Sequence, residues 1–535
     1  MKKEITRRTF VATTAALSLA GSVVGRPARA DAAAEPPQEP GRESKPNILV
    51  IHADQHRMDC LGACGNSEMR TPNIDALAAG GVRFENSFCP YPVCTPSRYS
   101  LISGLYVHEH RGWTNHSTLP PGTETFPAIL RDAGYKTKAV GKMHFTPTYL
   151  DLGFDELVLS EQNGPGRWDD DYHRELRQHG LVDYNDLEDQ ISEYRKKAPA
   201  NYWETFGALP SNLPEEYHST TWTGDRAVET LKQWGPSGNL LMVGFIKPHH
   251  PFDPAEQWCD IYNPDTLSLL PGWTDKCLPH DLALSKGYFP NESLTESSLR
   301  RVAAYYYATI QHIDQQVGRM IAVLKRKGLY ESTMIIYTSD HGEYMGYHHM
   351  LLKGNYMYDP LVKVPLIIKY PFRHQRGTVS PVLVSNIDLA PTILNQAGCR
   401  PGERMRGIDL AQGLDRREMV FAENRRGSHA MARSKSRKLI ISHAKKKAFF
   451  YDLEKDPFET TNRYEDPAYR EEVRAFTKAI EEWRSFDDLP KIYLNENAPV
   501  IAQPNVPSRR DGHREAMIAY CREKMRDEQR RHRPG

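Results

Sequence analysis

Four stretches of this chain are almost continuously apolar, and each runs into a polar cluster at its carboxyl end. Asn47–Ala53 leads into Asp54-Gln55-His56, and Thr137–Gly141 leads into Lys142-Met143-His144. Asn239–Ile246 leads into Lys247-Pro248-His249-His250-Pro251, and Thr333–Ser339 into Asp340-His341-Gly342. Short β-rich runs without alternation are the pattern of strands covered on both faces, as in a parallel sheet between helices. Helix signals fall between and around them. Thr71-Pro72 opens one that closes near Gly80, Thr125–Ala133 stops at Gly134, Thr221–Trp234 is another, and Leu294–Lys327 is long and well patterned. Alternating strands and helices predict a large doubly wound, mostly parallel α/β sheet flanked by helices. Ligands bind such sheets beyond the carboxyl ends of the strands, so the four polar clusters are expected along one edge.

Two regions depart from this pattern. Leu157–Ser219 lacks strong periodicity, is rich in Asp, Tyr, Trp and Gly, and reads as an insertion near the carboxyl edge that could shape substrate selection. From about Met419 the character changes: Ala432–His443 and Ala448–Leu453 alternate like antiparallel strands, Asp456-Pro457-Phe458-Glu459 turns the chain, and a helix over Tyr469–Trp483 follows. That predicts a smaller α+β subdomain carrying an antiparallel sheet. The tail Arg509–Arg533 mixes basic and acidic residues and reads as a solvated helix.

The amino terminus reads as an address. Thr6-Arg7-Arg8-Thr9-Phe10-Val11 is a twin-arginine pattern, followed by the apolar stretch Ala15–Val24 and a small-x-small cleavage site at Ala28-Arg29-Ala30. The apolar run is too short to span a bilayer comfortably, so no stable membrane anchor is expected. Export by the twin-arginine machinery to the periplasm or beyond is expected instead. Asp31–Ser44, rich in Pro, Glu and Ala, reads as a disordered lead-in. The expected division is a signal peptide over 1–30, a linker over 31–44, a catalytic domain over 45–418, a C-terminal subdomain over 419–490 and an extension over 491–535. A formal net charge of +1 gives no electrostatic case for nucleic acid. Eight scattered cysteines are too few for a disulfide scaffold. Cys60-x-x-x-Cys64 reads either as a local bridge or as two free thiols.

The most specific run is Cys94-Thr95-Pro96-Ser97-Arg98-Tyr99-Ser100-Leu101-Ile102-Ser103-Gly104. Pro96 suits the first position of a helix, Thr95 can cap it, and Gly104 to Leu105 can end it. Cys94 would then sit just before a helix N-terminus, where unpaired N–H groups and the helix dipole favour an anion. Arg98, one turn on, adds a permanent planar cation suited to tetrahedral oxyanions. Asp54 with Gln55, and Asp340 with His341, read as two halves of a divalent metal site.

At every fixed position this run resembles the signature of the type I, formylglycine-dependent sulfatases of the alkaline phosphatase-like superfamily. The resemblance covers roughly Asn47–Phe486. It implies that a maturase oxidises Cys94 to formylglycine, whose hydrate is the nucleophile. It also implies one divalent metal, calcium first with manganese or magnesium behind it, held by Asp54, Gln55, Asp340, His341 and residue 94. Gln55 departs from the family, where a second carboxylate is commoner. Lys142 and His144 match Gly-Lys-x-His, His249 matches Pro-His-x-Pro, and Lys353 in Leu352-Lys353-Gly354 matches the later lysine. Arg98, Lys142 and Lys353 would supply positive charge to the sulfate oxygens, His144 would hold or deprotonate a formylglycine hydroxyl, and His249 would protonate the leaving oxygen with help from Lys353. The implied substrate is a sulfate ester, small or saccharide. The alternatives are a phosphonate monoester or phosphodiester hydrolase on the same fold, where Asp-Gln at the first metal pair is familiar, and a non-catalytic binder of sulfated glycans. His108-Glu109-His110 and His348-His349 read as ordinary loop histidines, and Phe84–Tyr91 and Tyr305–Tyr307 as packing.

Overall fold

An eight-stranded sheet organises the protein, in the order β4-β3-β5-β1-β6-β7-β2-β8. Its strands are β1 (Asn47–Asp54), β2 (Val82–Phe88), β3 (Lys136–Gly141), β4 (Glu156–Leu159), β5 (Asn239–Pro248), β6 (Thr333–Ser339), β7 (Leu366–Lys369) and β8 (Thr378–Ser385). The computed structural model describes residues 45–164, 166–284, 288–354, 356–372, 377–412, 417–443, 446–485 and 513–531. All of these fall in the unit Lys45–Gly535. The expected signal peptide, the linker and the first part of the extension lie outside the described residues.

The block β4-β3-β5-β1-β6 is parallel throughout, and β7 alone runs against its neighbours β6 and β2. The four apolar runs are β1, β3, β5 and β6, so their polar ends share one edge, as the pattern required. Strand geometry explains the two-sided burial, since successive side chains point to opposite faces. Ile48 and Val50 of β1 pack with Leu101, Ile102, Phe126, Leu130, Leu389 and Ile393 on one face. Leu49, Ile51 and Ala53 pack with Ile74, Leu77, Leu231, Val317 and Leu324 on the other. The second layer comes from the helices Pro72–Ala79, Ser219–Gln233 and Glu296–Arg326. Each lies within two residues of its sequence-based bounds.

The smaller sheet is antiparallel, ordered β12-β11-β10-β9, from β9 (Val420–Asn424), β10 (His429–Arg433), β11 (Arg437–Ser442) and β12 (Lys447–Asp452). The alternating run Ala432–His443 is therefore the end of one strand and the whole of the next. The chain turns where Ser434 Oγ accepts the N–H groups of Ser436 and Arg437. The helix Arg470–Arg484 covers this sheet through Val473, Phe476, Ile480 and Trp483.

After β4 the insertion carries, among the described residues, five α-helices of four to eight residues, the longest being Asp171–Gln178. One expectation is corrected. The terminal helix His513–Arg531 is not fully solvated, because Met517, Cys521 and Met525 are buried against Val182, Leu187 and Tyr194 of the insertion. Those three residues recur every four positions, which places them on one face of the helix. No helix among the described residues is long and apolar enough to cross a membrane.

Candidate active site

The nucleophile candidate starts a helix that is buried on every side. All ten residues of Cys94–Ser103 are buried, so the helix has no polar face. Val93, with extended backbone, takes the N-cap position, and Cys94 itself is the first helical residue. Thr95 is therefore not the cap, and Pro96 sits third rather than first. Thr95 Oγ1 instead donates to the His144 carbonyl at 2.8 Å, tying this helix to the turn after β3. Gly104 ends the helix at φ 65, a conformation that glycine adopts without strain.

Around Cys94 the strand ends converge. Its Sγ lies 3.6 Å from Asp54 Oδ1, 3.3 Å from His341 Nε2 and 3.3 Å from Lys353 Nζ. Arg98 knits the two acidic residues together: Nη2 donates to Asp54 Oδ2 at 3.0 Å and Nε to Asp340 Oδ2 at 2.9 Å. Its Nη1 donates to the Lys142 carbonyl at 2.6 Å. Each of its three nitrogens thus has an acceptor within the protein. Arg98 thereby braces the site and keeps its fixed positive charge between Asp54 and Asp340.

Lys142 is fully buried, with Nζ 2.8 Å from Asp54 Oδ2 and 3.0 Å from Gln162 Oε1. Its placement needs two glycines. A Cβ on Gly141 would collide with the Gly244 carbonyl, and one on Gly244 with the Lys142 carbonyl. Glu161 then holds the following turn by accepting the N–H groups of Met143 and His144 at 3.0 and 2.8 Å. His144 is buried and its Nδ1 has no partner among the described residues. No hydrogen bond joins its ring to Cys94.

Gln55 sits at φ 63, in the left-handed region that non-glycine residues rarely occupy and that clusters at functional sites. The turn is held from all sides. Its N–H donates to Asp340 Oδ1 at 3.1 Å, its carbonyl accepts from Tyr306 Oη at 2.6 Å, and its side-chain amide donates to Glu343. Its Oε1 accepts from Lys353 Nζ at 3.0 Å, so the side-chain oxygen faces the same centre as Cys94 and His341. Tyr306, read from sequence as packing, thus also supports the site. His341 Nδ1 faces the Gly342 carbonyl at 2.9 Å and carries the hydrogen, leaving the Nε2 lone pair toward Cys94. His249 makes the same kind of bond, Nδ1 to the His250 carbonyl at 2.7 Å. It leaves β5 beside Asp54, where Pro248 pairs with Asp54 across the sheet.

The charges explain why this cysteine differs from the rest. Burial pushes the thiols of Cys60 and Cys89 well above the ordinary value, and those of Cys64, Cys259, Cys277 and Cys521 up to about 11, with Cys399 also raised. At Cys94 burial and Asp54 act in the same upward direction, yet Lys353, His341 and Lys142 outweigh them and the thiol is lowered. The position stabilises an anion. Burial opposes ionisation of Asp54, but Lys142, His249 and Arg98 hold its carboxyl well below the usual range. Burial and then Lys142 push His144 down to about 3. Burial, with Lys353 and His250 beside it, holds His249 well below its usual value. Both rings are neutral in the free protein.

Asp54, Cys94, Asp340 and His341 each offer one ligand atom, and these atoms lie within 4.8 Å of one another in a fully buried group. Two carboxylates and an imidazole nitrogen form a donor set that fits a divalent cation, with the Gln55 amide oxygen close by. The residues expected from the sequence to bear on this site are joined here by direct contacts or by their position at the strand ends, His144 through its carbonyl to Thr95. Sequence reasoning missed Glu161, Gln162 and Glu343, which lie in no motif and are found only through the backbone and side chains they hold.

The other histidine clusters lie elsewhere. His108 and His110 belong to a short buried helix, not a loop; His108 Nδ1 pairs with Glu423 at 2.9 Å and His110 Nε2 with Ser100 Oγ at 2.9 Å. His348 and His349 bond the carbonyls of Phe458 and Thr274. All eight cysteines are free thiols, including Cys60 and Cys64.

The chain is similar to known proteins in sequence and in fold. The family profile "Sulfatase" matches residues 46–399, and "N-sulphoglucosamine sulphohydrolase, C-terminal" matches residues 346–485. An arylsulfatase of Clostridium perfringens is 29% identical over 469 residues, covering 82% of this chain and 94% of its own length. A phosphonate monoester hydrolase from Silicibacter pomeroyi superposes with a TM-score of 0.69 at 24% identity, covering 82% of this chain and 95% of its own. A protein solved with its substrate D-glucosamine-2-N,6-O-disulfate superposes at 0.63 with 21% identity, covering 85% and 99%. The fold is alkaline phosphatase-like. Since the sulfatase profile spans well over half of the residues and takes in every strand-end cluster described above, the chain belongs to the sulfatase family and is a sulfatase enzyme.

Proposed function

We propose that this sulfatase is exported by the twin-arginine route and removes sulfate from a saccharide, using formylglycine made from Cys94 by a maturase and one divalent metal, calcium before manganese or magnesium. The observation that carries the mechanism is the placement of residue 94 at a buried helix N-terminus, within 3.3 Å of both Lys353 and His341. The saccharide rests on the relative solved with a glucosamine disulfate. Export rests on Arg7-Arg8 and the Ala28-Arg29-Ala30 site.

The hydrated aldehyde supplies two hydroxyls. One gives its proton to His144, whose Nδ1 has no other partner among the described residues, and forms the new O–S bond as the ester S–O bond breaks. The other then gives up its proton, restoring the aldehyde and releasing sulfate without water attacking sulfur. Asp54, Gln55, Asp340, His341 and residue 94 would hold a divalent cation, which when bound would supply positive charge to the sulfate oxygens. Lys142 and Lys353 add fixed cations that need no reorganisation during the reaction. His249 starts neutral with Nδ1–H committed to a carbonyl, so it must gain a proton before it can give one, and an incoming anionic ester favours that gain. Lys353, an ammonium with three donors, already has a proton to offer the departing oxygen.

The test is the ratio of kcat/KM for 4-nitrophenyl sulfate to that for an aryl phosphonate monoester, measured with matured enzyme. A sulfatase favours the sulfate. The neutral Gln55 beside Asp54 supports a second reading, a phosphonate monoester hydrolase, and a phosphonate preference of orders of magnitude would establish it. Chelation should abolish turnover, and added calcium should restore more of it than magnesium or manganese. Restoration by manganese alone contradicts the assignment of calcium.

A further inference from the structure

His250 lies outside the motifs assigned above, yet it is held as firmly as the residues within them. Its Nδ1 pairs with Asp189 Oδ2 at 2.6 Å, and because a carboxylate only accepts, Nδ1 carries the hydrogen. Asp189 is fully buried in the insertion, and its other oxygen accepts from Tyr202 Oη at 2.7 Å. Tyr288 Oη donates to the Asp189 carbonyl. The His250 ring stacks on His249, with centroids 4.2 Å apart, and meets the Tyr288 ring at 5.2 Å. Beyond Tyr288 the guanidinium of Arg195 lies 4.2 Å from that ring centroid. The ring is therefore fixed at Nδ1 and flanked by rings, and its hydrogen bond among the described residues is made through Nδ1, not Nε2.

This places the His250 ring against His249, where the helix Tyr184–Gln190 of the insertion meets the turn after β5. A sulfate held by Cys94, Lys142 and Lys353 would carry its departing oxygen toward His249, the proposed proton donor, and the His250 ring stacks on His249. We propose that His250, oriented by Asp189, contacts the substrate: its Nε2 accepts a hydrogen bond from a hydroxyl adjacent to the sulfated oxygen of the departing alcohol. The inference rests on the sulfatase reading and refines it, because it selects alcohols with a vicinal hydroxyl, as sugars have, over simple ones.

Two aryl esters isolate this contact. Catechol monosulfate carries, next to the ester oxygen, a hydroxyl that keeps its proton at neutral pH, and phenyl sulfate carries none. The readout is the ratio of their kcat/KM values in matured enzyme. His250→Ala should lower the ratio by about tenfold, the size of one lost hydrogen bond to a substrate hydroxyl. Two further variants separate contact from support. Glutamine reaches the Nε2 position, whereas asparagine reaches only Nδ1 and can satisfy Asp189. His250→Gln should therefore keep most of the preference, and His250→Asn should lose it. An unchanged ratio in His250→Ala overturns the proposal. So does an equal fall for both esters, or the same ratio in the Gln and Asn variants, either of which makes His250 a support for the fold. If the unsubstituted enzyme hydrolyses neither ester, the sulfatase reading fails, independently of His250.

Discussion

On the sheet side of the site, Asp54, Lys142, His249 and Asp340 each follow directly from the end of an apolar strand, and their relative positions are set by parallel register. On the insertion side, Glu161, Gln162, Asp186 and Asp189 come from turns and short helices that carry little hydrophobic pattern. Gln162 Nε2 donates to Asp186 Oδ1 at 2.8 Å and to the His250 carbonyl at 2.7 Å, while its Oε1 accepts from Lys142. The sheet side inherits its geometry from the core. The insertion side holds itself together through polar contacts made to the sheet side, and through a helix from the far end of the chain. A residue fixed by core register can be inferred from sequence, and one fixed by mutual hydrogen bonds cannot.

This contrast can be broken from either side, and the largest effects belong to the sheet. Cys94→Ala should remove turnover by on the order of 10⁴-fold or more, since no other group can form the covalent bond. Residual activity near that of the unsubstituted enzyme would exclude position 94 as the nucleophile. Arg98→Leu should be nearly as damaging to activity and should also unfold the protein more easily. It leaves Asp54 and Asp340 buried without their bridging cation, a loss of about 3–5 kcal/mol when one partner of a buried pair is removed. Denaturant titration of the metal-free protein reads this directly, and a midpoint shift within error would show that the brace is dispensable.

Effects on the insertion side should be smaller and confined to substrate handling. Gln162→Ala removes one acceptor from the Lys142 ammonium, which keeps Asp54. A fall in kcat/KM of about five- to tenfold is expected, the scale of one hydrogen bond to a charged group. A loss as large as that of Cys94→Ala would place Gln162 in the chemistry itself. Met525→Ala trims the contact between the terminal helix and the insertion. It should weaken that contact by about 2 kcal/mol, seen as faster amide exchange over residues 182–194, with exchange in β1 and β6 unchanged. Faster exchange throughout the sheet would show that the two regions unfold together.

The limits of the sequence reading follow the same division. Four runs, Asn47–Ala53, Thr137–Gly141, Asn239–Ile246 and Thr333–Ser339, were enough to place the polar clusters on one edge, because two-sided burial leaves an unmistakable apolar pattern. The other four strands of the large sheet, β2, β4, β7 and β8, were missed; β4 and β7 have only four residues each, too few for a period to show. Val93, rather than Thr95, caps the nucleophile helix, because extended backbone at 93 sets the start and the Thr95 hydroxyl is engaged by His144. The bracing contacts of Arg98 to Asp54, Asp340 and the Lys142 carbonyl left no trace in the motif itself. The terminal helix looked solvated because its mean composition is polar. Its buried face consists of only Met517, Cys521 and Met525, and a partner nearly 340 residues away in the chain leaves no local trace.

The central claim concerns what residue 94 is in the mature protein. Tandem mass spectrometry of the tryptic peptide Phe84–Arg98, from protein produced with an active maturase, decides it, provided that fragmentation separates Cys94 from Cys89. The account predicts a peptide in which residue 94 has lost its sulfur and carries an aldehyde, while Cys89 remains a thiol. A wholly unmodified Cys94, from cells that mature a control sulfatase, would contradict it.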